Sequence, residues 1–463
     1  MDEPIEFLRA SEAAPAELFG HPKGLSFLFA TEMWERFSYY GMRALLVLYM
    51  TKYLLLPGHA EHVAGLAAVR HGLEFVFGPL ALQPLASQIY GFYTALVYFT
   101  PILGGLLADR LLGQRRTVIV GAALMAIGHF MMAVEHLFLF ALLALILGSG
   151  AFKPNISTQV GGLYPPGDAR RDRAFSIFYV GINIGAFFSP LVCGTLGEEA
   201  GWHYGFAAAG VGMVIGLGIY LYGLRDLPPD GRTATLSQPK RTLIPNEKRG
   251  LLALAVLFVP TTLFWAVYEQ QGNTITLWAD ADTDRAVSLF GWHGQIPTTW
   301  FLSINPFLIF VFTPLLVALW QRQSLKGREP STIMKMGFGC FGAALAYAIL
   351  ALAAWYSGAG KASWLWLIGY FTILTLGELY LSPIGLSLVT KLAPTRMLSL
   401  VMGCWLATSF TGNFLAGWLG SFWSRMGRVE FFLTTAAIAA FAGLVIAVCS
   451  RALVNITSER GAV

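Results

Sequence analysis

The chain has 463 residues, of which 56% are hydrophobic and only 12% are charged, and its net charge is +5. This charged share is about half that of a soluble domain, so the composition excludes an ordinary soluble globular protein. The four cysteines lie far apart without metal-type spacing, which excludes a disulfide framework and a zinc site. Residues 1–24 mix acidic and basic side chains, so we expect no cleaved signal peptide.

Twelve apolar runs of roughly 20 residues predict membrane-spanning helices, because lipid offers the backbone no hydrogen-bond partner outside a helix. The runs lie near residues 25–52, 87–108, 117–135, 138–162, 174–197, 206–224, 248–272, 300–320, 333–357, 363–390, 398–421 and 429–450. We therefore predict an all-α membrane protein with two six-helix bundles, at 1–224 and 248–463, joined by a polar cytoplasmic linker at 225–247.

Lysine and arginine are distributed unevenly between the two sets of loops, and this asymmetry predicts the orientation. With a cytoplasmic N-terminus, the cytoplasmic segments carry Arg110, Arg115, Arg116, Arg170, Arg171, Arg173, Arg225, Arg232, Lys240, Arg241, Lys248, Arg249, Arg322, Lys326, Arg328, Lys391 and Arg396. The other side carries only Lys52, Arg70, Arg285, Lys361, Arg425 and Arg428. Because positively charged loops stay inside the cell, we predict that both termini are cytoplasmic.

The first apolar run contains a stripe of polar side chains that recur at helical steps of three or four residues. The stripe consists of Glu32, Glu35, Arg36, Tyr39, Tyr40 and Arg43. Two acids and two bases would be costly against lipid, so we expect the stripe to face a watery central cavity. The alternative, a salt bridge that only joins helices, accounts for one pair but hardly for six polar groups on one face.

The loop between the second and third runs reads GLLADRLLGQRR, from Gly105 to Arg116. This loop resembles the signature loop of the major facilitator superfamily in residue type, spacing and position between spans. The matching residues are Gly105, Asp109, Arg110 and Gly113. That resemblance implies a conformational loop that helps to hold the two halves together in one state. The alternative is an ordinary basic loop that follows the positive-inside rule.

Three further ionisable residues interrupt later runs. Lys153, in the fourth run, needs a carboxylate partner, and Glu32 and Glu35 are the natural candidates. Glu378, in the tenth run, has no cation nearby in its own helix, so it either sits protonated or binds a cationic ligand. Glu269 lies near the outer end of the seventh run, where it either belongs to the site or is an interfacial charge.

These charges predict a zwitterionic substrate. Arg36 and Lys153 in the first half suit a carboxylate, and Glu378 in the second half suits an ammonium group, which together describe a short peptide. Neutral hydrogen-bonding groups are offered by Asn183 and Asn305. Aromatic candidates for side-chain pockets are Tyr39, Tyr40, Trp278 and Trp405, with packing as the alternative.

Blocks spread over nearly the whole chain resemble the proton-dependent oligopeptide transporter family. They read EMWERFSYYGMR in the first run, GLLADRLLG in the loop after the second, FYVGINIGAFFSP in the fifth, FWAVYEQ in the seventh and GELYLSP in the tenth. The resemblance implies a major facilitator fold and symport of di- and tripeptides with protons by alternating access. It implies no enzyme activity and no cofactor other than the coupling protons.

The resemblance also implies roles for individual residues. It assigns proton coupling to Glu32, Glu35, Arg36, Lys153 and Glu269. It assigns the peptide carboxylate to Arg36, Tyr40 and Lys153, and the amino group to Asn183, Asn305 and Glu378. Arg43 and Glu269 match a pair that closes the outer gate and responds to protonation. The alternative is two independent interfacial charges.

Two departures from the family pattern affect what we expect. The linker at 225–247 leaves no room for two extra spans that many bacterial members insert, and those spans are not part of the pathway. Leu302 stands where some members carry glutamine, so we expect altered peptide preference without loss of transport.

The short connection at 358–362 lacks the large external domain of animal relatives, which favours a multi-pass protein of a bacterial inner membrane. We expect peptide substrates and the lipid bilayer as partners, no nucleic acid, and a monomer.

Other functions remain open from the sequence alone. The same scaffold transports nitrate or other small solutes, such as an amino-acid conjugate, in related proteins, although nitrate would leave Glu378 without a role. A membrane-embedded enzyme would need a nucleophile–base or metal constellation, and the eight histidines form no HExxH pattern. A transporter-like sensor is a third alternative.

Overall fold

The computed structural model describes residues 17–18, 20–165, 168, 170–230, 245–289, 292–394 and 397–458, and these residues are mostly helical. The helices before residue 231 are α1 (Gly24–Tyr49), α2 (Leu66–Phe77), α3 (Leu82–Phe99), α4 (Pro101–Leu107), α5 (Gln114–Met131), α6 (Phe138–Gly162), α7 (Arg170–Ser189) and α8 (Trp202–Gly223). The later helices are α9 (Pro245–Tyr268), α10 (Thr274–Ala281), α11 (Ile304–Leu325), α12 (Thr332–Ser357), α13 (Leu365–Leu392), α14 (Leu398–Gly420) and α15 (Arg428–Ser458).

Six short strands complete the described elements. They are β1 (Glu17–Leu18), β2 (His21–Pro22), β3 (Thr283–Asp284), β4 (Ala286–Leu289), β5 (Trp292–Gln295) and β6 (Ala362–Ser363). The pairs β1–β2 and β4–β5 are antiparallel hairpins, and β3 pairs with β6 in parallel. These strands are too short to form a core, so the helices carry the fold.

Nine helical segments of the described chain are long and apolar enough to cross a membrane. A helix also lies at each of the other three predicted runs, as α1, α5 and α14, but charged or polar side chains interrupt their apolar stretches. In α1 these are Glu32, Glu35, Arg36 and Arg43. The mostly helical membrane fold is therefore confirmed, while the count of twelve spans stays a prediction.

The apolar runs of the sequence predict no element at α2 or at the hairpin of β4 and β5. The twelve residues of α2 are mostly apolar but include Arg70, His71 and Glu74, and they are too few to span a bilayer. Its exposed face includes Phe75, which is 86% exposed, and Val76. Such a helix lies beside the bundle rather than within it. It is too short to appear among the apolar runs that predict membrane spans.

Buried apolar side chains form two large clusters. One runs from Leu25 to Leu227 along the chain and the other from Ala253 to Ile446. The predicted linker at 225–247 falls mostly on residues 231–244, which lie outside the described residues. Arg232, Lys240, Arg241 and Arg396 lie outside them as well. The domain boundaries remain a prediction.

The two clusters of helices meet closely at one end of the bundle, the end that the sequence predicts to be extracellular. There α3 packs against α14 so tightly that a Cβ atom built on Gly91 would lie 2.5 Å from the Cα atom of Gly417. Ser87 Oγ donates a hydrogen bond to Asn273 Oδ1 at 2.8 Å, and the Lys52 ammonium pairs with Asp280 at 2.7 Å. We call this the closed end.

Candidate functional site

A cavity of about 230 Å³ lies between the two groups of helices, below the closed end. Its wall on the side of the first cluster includes Tyr40, Arg43, Ala44, Tyr98, Tyr179, Ile182, Asn183, Ala186 and Pro190. The opposite wall includes Trp265, Tyr268, Glu269, Gln271, Gly272, Leu302, Asn305, Pro306, Ile309, Glu378 and Ser382. Both halves therefore supply polar groups to one space, which is where a transported solute has to pass.

The polar stripe of α1 divides between this cavity and the protein interior. Tyr40 and Arg43 lie on the cavity wall, whereas Glu35 is fully buried and Arg36 is 6% exposed. Arg36 Nε contacts Glu32 Oε1 at 3.2 Å and also donates to Glu35 Oε2. One guanidinium thus pairs with two buried carboxylates, one of them a helical turn before it, and its single charge balances only one of them when both are ionised.

This ionic cluster leaves some of its polar atoms without hydrogen-bond partners among the described residues. They are Glu32 Oε2, Glu35 Oε1 and Arg36 Nη2. A buried carboxylate oxygen without a donor is a place where a proton is readily accommodated, because protonation removes a charge that burial disfavours. The geometry therefore suits two carboxylates that share one cation and exchange protons.

Lys153 does not form the ion pair that we expect with Glu32 or Glu35. Within the described chain, no carboxylate oxygen forms an ion pair with Lys153 Nζ inside 4.0 Å. Instead the ammonium lies 4.6 Å from the ring centroid of Tyr39 and 5.0 Å from that of Tyr98, as cation–π contacts. Since Arg36 already occupies both carboxylates, the aromatic rings are what stabilise the second cation.

The opposite wall is organised around Glu378, on α13. Asn305 Nδ2 donates to Glu378 Oε2 at 2.8 Å and to Thr375 Oγ1 at 3.0 Å, and Tyr268 donates to Asn305 Oδ1 at 3.4 Å. The structure therefore brings Asn305 and Glu378 together. Asn183 also lines the cavity, but its amide donates to the Tyr179 carbonyl of its own helix at 3.0 Å.

The roof of the cavity joins the two halves through Arg43 and Glu269. An Arg43 Nη2–Glu269 Oε2 ion pair forms between side chains that are both buried, and Arg43 Nε donates to the Tyr90 hydroxyl at 2.8 Å. Gly272 lies against the same hydroxyl, where a Cβ atom would collide with it. The short 3₁₀ turn Glu269–Gly272 between α9 and α10 places this carboxylate over the cavity.

The signature loop lies at the other end of α4. The side chains of Asp109 and Arg110 are exposed and form no hydrogen bond or ion pair within the part of the chain that the structure describes. Gly113 has φ 78°, and a Cβ atom there would lie 2.7 Å from the Asp230 carboxyl carbon. Glycine is thus required at 113 both by the backbone and by the neighbour, whereas nothing lies within 4 Å of a Cβ atom at Gly105.

Sequence reasoning missed several residues of the site and misplaced others. Tyr98 and Tyr268 line the cavity, and Tyr90 holds the roof; only Tyr268 has a signal, because it precedes Glu269 in the FWAVYEQ block. Of the aromatic candidates for side-chain pockets, Tyr40 lines the cavity, whereas Tyr39, Trp278 and Trp405 are buried in the core clusters, as the packing alternative has it. Large aromatic side chains pack in membrane-protein cores as often as they face a pathway, so residue type alone does not separate the two.

Comparison with known proteins identifies relatives along most of the chain. A model of the POT family matches residues 115–235 and 232–435. A di-/tripeptide transporter of Lactococcus lactis subsp. cremoris is 34% identical in an alignment 505 residues long, gaps included. The alignment covers 95% of this chain and 97% of the relative. A peptide transporter of Yersinia enterocolitica is 36% identical, with 87% of this chain and 88% of the relative covered.

Solved structures resemble this one closely as well. A crystal structure of a POT peptide transporter in complex with sulfate has a TM-score of 0.81 and 31% identity, and covers 96% of this chain and 97% of that chain. A POT-family transporter in complex with 5-aminolevulinic acid has a TM-score of 0.81 and 30% identity, with 94% and 98% covered. These relatives are transporters, which confirms the expectation of a multi-pass membrane transporter rather than an enzyme.

Proposed function

The chain belongs to the POT family of transporters, and from this membership we propose that it imports di- and tripeptides together with protons by alternating access. The observation that carries the proposal is the cavity between the halves, with the carboxylate of Glu378 on one wall and the cation of Arg43 on the other. A polar space that both halves line is what a rocking-bundle transporter needs, because each half in turn can open it to one side.

The proposed peptide lies with its amino group at Glu378 and its carboxylate toward Tyr40, Arg36 and Lys153. The amino end is supported by Asn305, which already holds Glu378, and by Asn183 on the facing wall. The carboxylate end is supported by the Lys153 ammonium, whose contacts in the described chain are aromatic rings rather than an acid. An entering carboxylate would therefore give Lys153 its first full counter-charge.

Protons are the proposed coupling ion, and Glu32 and Glu35 are their proposed acceptors. Both carboxylates hold Arg36, and each keeps an oxygen without a donor in the described chain. Protonation of either acid weakens its attraction for Arg36, which frees the guanidinium to attract a peptide carboxylate. Proton binding and peptide binding would then favour each other, which is the basis of symport.

Arg43 and Glu269 form the proposed outer gate of this cycle, since their ion pair joins the halves above the cavity. We also propose that both termini are cytoplasmic, that the residues from Gly105 to Gly113 act as a conformational loop, and that 225–247 links two bundles. The transporter would work as a monomer in a bacterial inner membrane. The bias of Lys and Arg toward one set of loops supports this orientation.

A second substrate class has one observation in its favour. A related transporter, 30% identical, has been solved with 5-aminolevulinic acid. That compound carries an amino group and a carboxylate, as a peptide does, and would use the same two ends of the cavity. Nitrate lacks the cationic end, so the proposed role of Glu378 favours zwitterions over nitrate.

The test is counterflow in proteoliposomes. Purified protein in sealed vesicles loaded with unlabelled dialanine should accumulate labelled dialanine from outside, and an imposed inward proton gradient should drive uptake without preloading. N-acetyl-dialanine and nitrate should compete poorly, while 5-aminolevulinic acid distinguishes a broad zwitterion site from a peptide site. Absence of both counterflow and gradient-driven uptake for a panel of di- and tripeptides would overturn the proposal.

A further inference from the structure

Glu198 makes an unusual set of hydrogen bonds across the closed end. It lies in the π-helical turn Leu196–Ala200 that extends α7. Its Oε2 accepts from the Thr298 backbone N–H at 2.8 Å, and its Oε1 accepts from the Thr299 N–H and the Thr299 hydroxyl, both at 2.8 Å. One carboxylate from the first half thus takes three donors at the start of a helix in the second half.

That helix cannot supply its own cap. The first N–H groups of any helix lack partners within it, and a side-chain oxygen at the preceding position usually accepts from them. Here the helical segment Thr298–Leu325 is preceded by Pro297, which has no such oxygen. A carboxylate is also the charge that a helix N-terminus favours. Glu198 therefore supplies from one hundred residues away what the local sequence omits.

The surrounding contacts hold the carboxylate in this place. Arg285 Nη1 lies 3.9 Å from Glu198 Oε2, and its Nη2 lies 3.6 Å from Asp280 Oδ1. Trp300 Nε1 donates to Thr195 Oγ1 at 2.7 Å, beside the cap. Thr299 also lies against Gly194, at which a Cβ atom would collide with the threonine side chain. The cap is part of a close-fitting surface and not a single chance contact.

The capped helix also carries part of the proposed binding site. Asn305 follows Thr299 by six residues, roughly 10 Å along the helix axis. It is the residue whose amide donates to Glu378. Ser303, between them, donates to the Phe187 carbonyl of α7 at 2.7 Å. Because Thr299 and Asn305 lie on one continuous helical segment, a shift of the start of that segment would also shift Asn305 at the wall of the cavity.

We propose that Glu198 is a positioning residue of the transport cycle: it caps the helix Thr298–Leu325 only while the halves meet at the closed end. This inference rests on the proposed alternating-access function. The cap is a closure contact separate from Arg43–Glu269, since it joins α7 to α11 instead of α1 to α9. When the end opens, water replaces the carboxylate at the helix N-terminus, and Asn305 is released from this constraint.

The experiment measures closure directly, without peptide. Spin labels are placed at Ala200 and Ala281, both exposed at the closed end, in a background with Cys404 and Cys449 replaced by serine. In Glu198→Gln, we expect the population with a long label-to-label distance to rise several-fold over the parent. Glu199→Gln is the matched control, because Glu199 is exposed and has no polar partner in the described chain.

A second variant protects the test against misfolding. Thr299→Val keeps the side-chain shape and removes one of the three hydrogen bonds to Glu198, together with the 3.3 Å bond from the same hydroxyl to the Pro190 carbonyl, so we expect a smaller shift in the same direction. A purely structural role for Glu198 would lower the melting temperature and leave the distances of the folded protein unchanged. Identical distance distributions in Glu198→Gln and Glu199→Gln would overturn the inference.

The outcome is distinguishable from failure of the proposed function. Distances are measured in the absence of substrate, so a protein that exchanges no peptide still reports whether Glu198 controls closure. Conversely, the parent protein could show dialanine counterflow while the distances in Glu198→Gln stay unchanged. That result would support the proposed transport function and reject only the role of Glu198 in closure. In Glu198→Gln combined with Glu269→Gln, two separate contacts should open the end further than either change alone.

Discussion

Among the residues that the structure describes, Glu378 and Glu269 are the two acids on the cavity wall, and Glu269 is paired with Arg43. The Oε2 atom of Glu378 is held by Asn305, which fixes the carboxylate toward the cavity. We expect Glu378→Gln to lower dialanine counterflow at least tenfold, since a hydrogen bond to a charged group contributes about 1.5–3 kcal/mol. The measurement is the initial rate of labelled dialanine entry at subsaturating concentration.

A control variant for this prediction is Ser382→Ala, which changes a neutral cavity residue on the same helix and should affect the rate less. N-acetyl-dialanine should compete poorly with dialanine in the native protein, because acetylation removes the ammonium charge. Native rates in Glu378→Gln would remove this carboxylate from the binding site.

Glu32 and Glu35 allow a prediction about coupling, separate from binding. Since both carboxylates hold Arg36, neutralising either one removes a proton acceptor without removing the cation. We expect Glu35→Gln to lose uptake driven by a proton gradient while peptide-for-peptide exchange continues. The two assays are run on the same vesicles, so that a folding defect, which lowers both, is separated from uncoupling. If Glu35→Gln still concentrates peptide against a gradient, the cluster is structural.

The sequence predicts individual residues of the site unevenly. The contact of Arg36 with Glu32 follows from their i,i+4 spacing along one helix, which the sequence shows directly, whereas the contact with the adjacent Glu35 does not follow from that spacing. The environment of Lys153 does not, because the choice between an acid and an aromatic ring depends on side-chain conformations on several helices. The functional roles of these residues stay predictions, which the variants above address.

At the scale of elements, long apolar runs are the reliable signal, and each of the twelve predicted runs coincides with a helix. Interruptions inside those runs are not predictable in the same way. The 3₁₀ turn at Glu269–Gly272 contains no proline, and glutamine and glycine there give no strong signal for a break. At this turn Gly272 lies against the Tyr90 hydroxyl, which is a tertiary contact that only a glycine permits. The site is thus placed by features that local sequence does not encode.

The contact between α3 and α14 gives a prediction about closure. Gly91 and Gly417 let the two helices approach to backbone contact, as small residues do in membrane interfaces. Gly91→Ala would place a methyl group 2.5 Å from the Gly417 Cα atom, so we expect the closed end to open and the long-distance population of a label pair at Ala200 and Ala281 to increase.

The control for this change is Gly369→Ala on α13, where nothing lies within 4 Å of the added carbon. Both substitutions raise helix propensity by about 1 kcal/mol, so a difference between them reports packing rather than propensity. Unchanged distances in Gly91→Ala would mean that this helix contact does not control closure and that the other contacts at the closed end do.

At the scale of the molecule, charged groups of opposite halves meet at the closed end. Lys52 pairs with Asp280, Arg43 with Glu269, and Glu198 lies near Arg285. Water can replace each of these partners when the halves separate, so opening this end need not leave any of these charges without a partner. A small free-energy difference between two packings is what alternating access requires, because proton or peptide binding must be able to reverse it.

The sequence predicts the overall architecture well because family blocks and spans are distributed along the whole chain. The relative from Lactococcus lactis aligns over 505 residues, more than the 463 of this chain, so that protein has segments without a counterpart here. What the sequence does not reveal is the conformation. Closure at one end depends on contacts between residues that lie far apart in the sequence. Examples are Glu198 with Thr299, 101 positions apart, and Ser87 with Asn273, 186 positions apart.

The buried pair of Arg43 and Glu269 leads to a prediction for the whole molecule as pH changes. The pair joins the halves directly, so the alternative of two independent interfacial charges does not describe this conformation. Protonating Glu269 removes the attraction and leaves Arg43 buried without a counter-charge, which is strongly unfavourable. Lowering the pH should therefore open this end, and raising it should close it.

Spin labels at Leu56 and Ala281, both exposed near the ends of α1 and α10, measure the response in the same cysteine-reduced background. In the native protein, we expect the distance between the labels to lengthen as the pH falls. In Glu269→Gln it should be long at every pH, since glutamine cannot lose a proton to restore the pair. Glu61→Gln is the control, because Glu61 lies in the exposed 3₁₀ turn Ala60–His62 on the same side, where its carboxylate accepts from the Gly58 backbone N–H at 2.9 Å. A distance that follows pH equally in the native protein and in Glu269→Gln would show that another group senses the proton and that this pair is not the latch.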